Sequence, residues 1–91
     1  MSFVLKFTPA GMTPAKYDEC IKKLNAAGAG SPKGRSYHVA YVGSTGIQVT
    51  DVWDSMEDFD AFGKTLVPIL QSLGVDPGQP EVQEVRNIII G

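Results

Sequence analysis

The residues with the clearest potential for chemistry are the single histidine, His38, the carboxylate Asp51 and the single tryptophan, Trp53. They lie on either side of a glycine-flanked segment, residues 43–46, which predicts the turn of a β-hairpin. Residues equally distant from such a turn oppose each other, so His38 should pair with Asp51. A carboxylate that hydrogen-bonds an imidazole orients the ring and stabilises its charged form. The pair is therefore a candidate catalytic dyad, with His38 as general base and Asp51 as its orienting partner.

The same pairing predicts which side chains share a face of the hairpin. The face expected to pack beneath helices is apolar near the turn and carries Ser36, His38, Ala40, Val42, Ile47, Val49, Asp51 and Trp53. Ser36 is expected opposite Trp53. The other face is amphipathic and carries Tyr37, Val39, Tyr41, Gln48, Thr50 and Val52. The prediction depends on the turn, because a slip of one residue would move one strand's side chains to the opposite face.

Aromatic residues near the dyad favour a pocket for a planar ligand, and we expect Trp53, Tyr17 and Phe59 to bind substrate there. Each of these residues also has a structural interpretation. A cross-strand His–Asp pair can be a buried polar link, and a tryptophan can be plain core. Cys20 lies on a predicted apolar helix stripe, where an inert buried thiol is the alternative to a nucleophile.

Four strands and two helices are predicted to position these side chains. Thr13 before Pro14 and Ser55 three residues before Asp58 are helix-start signals. Pro68 lies inside the second helical pattern, where we expect a kink or a restart. The predicted strands are 2–8, 35–42, 47–53 and 81–90. The order βαββαβ in 91 residues predicts one α+β domain over 1–91, a ferredoxin-like fold with a four-stranded antiparallel sheet and both helices on one face.

That fold leaves the second face of the sheet uncovered. Tyr37, Val39 and Tyr41 lie on it, and the last strand ends in three consecutive isoleucines, residues 88–90. Exposing several such side chains would create an apolar patch, which a second copy of the chain would cover. We therefore predict a homodimer through this face and the fourth strand. The alternative is a moderately apolar face in contact with solvent.

Composition argues against several classes of function. The net charge of −2 and the scattered lysines and arginines do not suit nucleic acid. No apolar stretch approaches the length of a membrane helix, and one cysteine with no signal peptide favours the reducing cytoplasm. There is no phosphate-binding glycine motif and no His/Cys spacing typical of a metal site, so we expect no cofactor and no metal.

The order and length of the elements, the proline late in helix two and the segment Val52-Trp53-Asp54-Ser55-x-Glu57-x-Phe59-x-x-Phe62 resemble the dimeric α/β-barrel superfamily. Within it the chain is similar to small antibiotic-biosynthesis-monooxygenase-like proteins. The resemblance implies a homodimer whose two sheets form a barrel, with a pocket in each subunit between sheet and helices. Such proteins include cofactor-independent monooxygenases of aromatic polyketides and haem-degrading enzymes. The Asn, aromatic and His set of the haem-degrading branch is not recognisable here, so neither haem nor a catalytic residue is carried over.

Two hypotheses of function follow. The first is a monooxygenase-like or isomerase-like enzyme acting on a small aromatic or hydrophobic molecule, with His38 as base. The second is a non-catalytic ligand-binding or accessory protein that uses the same pocket and dimer.

Overall fold

Six elements in the order βαββαβ form the fold, in a computed structural model that describes residues 1–91. They are β1 Phe3–Phe7, α1 Pro14–Ala26, β2 Arg35–Gly43, β3 Gly46–Trp53, α2 Met56–Ser72 and β4 Glu81–Glu84. The strands form one sheet in the order β2-β3-β1-β4, with every neighbouring pair antiparallel. The predicted ferredoxin-like α+β fold is therefore confirmed.

Both helices begin at the residues that the sequence indicates. The Thr13 hydroxyl accepts a hydrogen bond from the Lys16 amide at 3.2 Å, and Pro14 occupies the first turn of α1. The Ser55 hydroxyl accepts one from the Asp58 amide at 3.1 Å. Each cap satisfies an amide that has no partner within the helix, which places the start of the helix at that residue.

Helix α2 runs as one segment through Pro68, so the predicted restart does not occur. Proline cannot donate the backbone hydrogen bond that the carbonyl of Lys64 would accept. Lys64 and Pro68 are both exposed, so water can satisfy that carbonyl. The inner side of the helix buries Phe62 and Leu70, and packing on that side is unaffected.

The core lies between the helices and one face of the sheet. Leu5 and Trp53 are fully buried there. The buried cluster also contains Met12, Cys20, Leu24, Ile47, Val49, Phe62, Leu70 and Val75. The helix stripes and the strand alternation predicted from the sequence both contribute to it. No helix in the structure is long and apolar enough to cross a membrane.

The hairpin register is as predicted over most of its length. Val42 opposes Ile47, Ala40 opposes Val49 and His38 opposes Asp51. The predicted pairing of Ser36 with Trp53 is wrong, because the register shifts between residues 35 and 37 and Arg35 opposes Trp53 instead. A β-bulge adds one residue to a strand, which simple counting from the turn does not include.

Strand β4 is shorter than predicted, since it covers Glu81–Glu84 rather than 81–90. Its partner β1 begins at Phe3, and the last backbone bond of this pairing joins the Val85 amide to the Ser2 carbonyl at 2.9 Å. Beyond that point the chain offers no strand for the tail to pair with. The isoleucines at 88–90 are consequently exposed and outside regular structure.

Candidate functional site

The hairpin places His38 and Asp51 in direct contact. His38 Nδ1 and Asp51 Oδ1 are 2.6 Å apart, and the Asp51 side chain is only 6% exposed against 23% for His38. The second carboxylate oxygen of Asp51 accepts a hydrogen bond from the indole Nε1–H of Trp53 at 3.3 Å. The Asp51 carboxylate therefore has a hydrogen-bond partner at each oxygen, and its contact with Nδ1 fixes the orientation of the imidazole.

Helix α1 supplies the second partner of the histidine. The Tyr17 hydroxyl lies 2.7 Å from His38 Nε2, and the two rings are nearly parallel, with an interplanar angle of 7°. Tyr17 lies on the inward stripe of α1 with Cys20 and Leu24, so the packing of the helix on the sheet brings it to the histidine. The result is a chain of three groups, Tyr17–His38–Asp51.

Hydrogen-bonding capacity sets the direction of this chain. An ionised carboxylate accepts but cannot donate, so His38 Nδ1–H donates to Asp51. In the neutral ring Nε2 is then the acceptor, and the Tyr17 hydroxyl donates to it. A proton that reaches Nε2 produces an imidazolium that Asp51 stabilises. The three hydrogen-bonded groups can therefore accept a proton at the hydroxyl of Tyr17.

A cavity of about 80 Å³ lies beside the Tyr17–His38–Asp51 hydrogen bonds, between the sheet and both helices. Tyr17, His38, Asp51 and Arg35 are among the residues of its wall. The rest of the wall is mainly apolar: Phe7, Pro9, Met12, Cys20, Ile21, Leu24, Val49, Phe62, Leu66, Leu70 and Pro77. An apolar lining with a few polar residues is the composition expected of a small-molecule site, and the volume of about 80 Å³ limits its ligand to a small molecule.

The predicted aromatic contacts divide into two groups. Tyr17 is part of the cavity wall, whereas Trp53 and Phe59 are not. Trp53 is fully buried, with ring centroids 5.5 Å from Phe59 and 5.4 Å from Phe62. Its indole supports Asp51 from behind. A role of Trp53 and Phe59 in substrate binding stays a prediction.

Sequence reasoning missed Arg35, the one cationic side chain other than histidine in the cavity wall. One of its guanidinium nitrogens donates to the Gly30 carbonyl at 3.1 Å, and the group lies 5.8 Å from the Phe62 ring centroid. Burial raises the pKa of the Tyr17 phenol above its ordinary value of 10.0, while the Arg35 charge opposes that rise. The only sequence feature that could have indicated Arg35 is its position at the start of β2. Residue type alone does not show that the side chain lies on the helix side of the sheet.

Cys20 is a free thiol in the same wall and is 3% exposed. Burial raises its pKa above the ordinary value of 9.0. A thiol that resists ionisation is a poor nucleophile, which agrees with the interpretation of Cys20 as an inert wall residue.

No protein-family model and no curated protein matches this chain. Among solved structures it is similar to a candidate antibiotic biosynthesis monooxygenase from Chloroflexus aurantiacus J-10-fl, with 22% identity, a TM-score of 0.65 and full coverage of both chains. It is also similar to SnoaB, a cofactor-independent oxygenase from Streptomyces nogalater, with 18% identity and a TM-score of 0.61 over 97% of this chain and 94% of that one. At these identities the likeness concerns the fold, and this chain has the fold of antibiotic-biosynthesis-monooxygenase-like proteins.

Proposed function

We propose that this protein is a cofactor-independent, monooxygenase-like or isomerase-like enzyme that removes a proton from a small aromatic or hydrophobic molecule. The observation that carries the proposal is the double hydrogen bonding of His38, at 2.6 Å to Asp51 and 2.7 Å to Tyr17, in the wall of an apolar cavity. A histidine that is oriented at one nitrogen and bonded to a phenol at the other forms a path for a proton.

In the proposed step, Tyr17 is the group that meets the substrate. Its hydroxyl gives its proton to His38 Nε2 while its oxygen takes a proton from an acidic C–H of the substrate. The products are a substrate carbanion, an intact phenol–imidazolium pair and the Asp51 carboxylate beside it. The sequence-based assignment of His38 as base is thereby modified, because Nε2 reaches the substrate through Tyr17.

Two fates of the carbanion correspond to the two reaction classes. In an isomerase-like reaction the imidazolium returns the proton, through Tyr17, to another carbon. In a monooxygenase-like reaction dioxygen is the oxidant: a substrate CH₂ becomes C=O, one oxygen atom stays on carbon and the other leaves as water.

The alternative function is non-catalytic ligand binding. It is favoured by the completeness of the polar chain, since every buried side-chain nitrogen and oxygen has a partner within the protein. A fully satisfied polar network can serve structure alone, with the apolar cavity binding a ligand by burial.

We further propose that the protein acts as a homodimer in the cytoplasm. Exposed apolar side chains on the open sheet face and tail support the dimer, among them Tyr37, Tyr41, Ile88, Ile89 and Ile90. The free thiol of Cys20 suits a reducing compartment.

Proton abstraction can be tested with 2-indanone and phenylacetone, two small aromatic ketones with acidic CH₂ groups. Exchange of these protons in D₂O, followed by NMR, should be accelerated by the protein. Tyr17→Phe and His38→Ala should each lower that acceleration by about 10²-fold or more. Tyr37→Phe, on the other sheet face, is the matched control and should leave it unchanged.

Oxygen uptake during the same reaction separates the two reaction classes. Binding of the ketones without faster exchange would contradict the enzyme and favour the ligand-binding protein. Exchange that persists in both Tyr17→Phe and His38→Ala would remove the dyad from the chemistry.

A further inference from the structure

The guanidinium of Arg35 has no anionic partner within the protein. The only ion pair in the chain joins His38 and Asp51. Of the five N–H groups of Arg35, one donates to the carbonyl of Gly30, and no acceptor is found for the others. Arg35 is only partly buried, and no buried side-chain nitrogen lacks a partner, so its remaining N–H groups are open to solvent and could bind an anion in place of water.

Three observations place Arg35 beside the cavity. Arg35 is part of the cavity wall. Its guanidinium carbon lies 5.8 Å from the centroid of the Phe62 ring, which belongs to the same wall. Its positive charge also acts on the Tyr17 hydroxyl, the phenol end of the proposed proton path. A ligand that contacts Tyr17 would therefore lie within the field of Arg35.

We propose that Arg35 binds the carboxylate of the ligand, so that the cavity takes small hydrophobic carboxylic acids in their anionic form. This inference rests on the proposed function, since it names the ligand class of the same cavity. The planar fork of guanidinium matches a carboxylate through two parallel hydrogen bonds. The apolar wall suits the hydrocarbon part of such an acid and disfavours a strongly hydrated anion such as phosphate.

This arrangement separates recognition from chemistry. Arg35 anchors one end of the ligand, and the phenol of Tyr17 meets another atom of it. Anchoring at a second point reduces the freedom of the bound molecule, which favours one orientation of its acidic C–H toward Tyr17.

The test uses benzoate and phenylacetate together with benzamide and phenylacetamide, their neutral amides of nearly equal shape. Equilibrium binding is measured by calorimetry, and the ring signals of His38, the only histidine, report whether the compound enters the cavity. The wild-type protein should bind each carboxylate about tenfold or more tightly than its amide, as for hydrogen bonds to a charged group. Inorganic phosphate should not compete.

Arg35→Gln should abolish the preference by weakening the carboxylates while leaving the amides unchanged. Arg35→Lys keeps the positive charge but loses the planar guanidinium, and it should keep part of the preference for carboxylates. Lys22→Gln removes one positive charge at an exposed site outside the wall and should have no effect. Circular dichroism and the free His38 signals check that each variant is folded.

Equal binding of acids and amides by the wild-type protein would overturn the inference, as would a preference that survives in Arg35→Gln or binding that leaves His38 unperturbed. Failure of all four compounds to bind would also count against it. None of these measurements needs turnover, so selection of carboxylates through Arg35 would establish the ligand class even if no proton exchange is found.

Discussion

Burial controls the ionisation of the phenol that we place at the reacting end of the site. The pKa of Tyr17 lies above 10.0 in the folded protein, first because of desolvation, with Asp51 adding to the rise and Arg35 opposing it. The neutral phenol is the form that can donate to His38, and the raised pKa keeps that form present at pH values above 10.0.

The same shift makes stability depend on alkaline pH. When pH passes 10.0 the unfolded chain loses the Tyr17 proton while the folded chain retains it, so deprotonation favours the unfolded state. The contribution of Tyr17 is complete below that pH and is lost as pH rises toward the folded-state pKa. We expect the free energy of unfolding, from urea titrations on either side of pH 10.0, to fall less steeply with pH in Tyr17→Phe.

Tyr37→Phe is the control for this prediction, because the Tyr37 side chain is 53% exposed. It should leave the alkaline slope as in the wild-type protein. A slope that is identical in wild type and Tyr17→Phe would show that the phenol gains nothing from its buried position.

For individual residues, the sequence predicts contacts that depend on one turn and misses those that depend on packing between elements. The His38–Asp51 pair follows from the position of the hairpin turn. The hydrogen bond between His38 and Tyr17 joins a strand to a helix, and it depends on how far α1 slides along the sheet. The position of Arg35 on the helix side of the sheet depends on the β-bulge between residues 35 and 37, and no residue in this segment predicts that bulge.

The hairpin turn is the element that holds the dyad in register, and Gly46 is its most constrained residue. Its φ of +130° lies in a region that is essentially restricted to glycine. A Cβ at this position would lie 2.6 Å from the Met12 carbonyl oxygen, which accepts the Ile47 amide at 2.9 Å. Gly46→Ala should therefore lower the free energy of unfolding by about 1–3 kcal/mol, measured by urea denaturation.

Gly63→Ala is the matched control for that substitution. Gly63 lies in the interior of α2, and a Cβ there would meet no atom within 4 Å. Alanine has the higher helix propensity, so this variant should gain about 0.5–1 kcal/mol. Equal effects of the two substitutions would mean that backbone conformation at the turn does not limit stability.

The predicted and observed elements differ where pairing partners, not propensities, decide the outcome. The isoleucines at 88–90 have high strand propensity, yet β1 is too short to pair with them. Pro68 disfavours a helix, yet packing of the inner side of α2 keeps the helix continuous through it. Partner length and packing are properties of the assembled sheet, and a pattern of single residues does not contain them.

Apolar side chains remain exposed on the open sheet face and in the C-terminal tail. Tyr37 and Tyr41 lie on the open sheet face and are exposed. Ile89 and Ile90 in the tail are more than four-fifths exposed. Burial of such side chains is worth roughly 1.5–3 kcal/mol each, and a second copy of the chain supplies a surface of the same character.

Dimerisation through this face predicts a mass near twice 9.8 kDa by sedimentation at micromolar concentration. Tyr41→Glu puts a carboxylate where apolar surface would be buried and should shift the protein toward monomer or aggregate. Val42→Glu is the control, because Val42 is the next residue on the same strand, opposes the core residue Ile47 and is 78% exposed. Its side chain is directed to the helix side, so the dimer should persist. Dissociation by both substitutions would place the contact at the edge of β2, and a wild-type monomer would remove the dimer altogether.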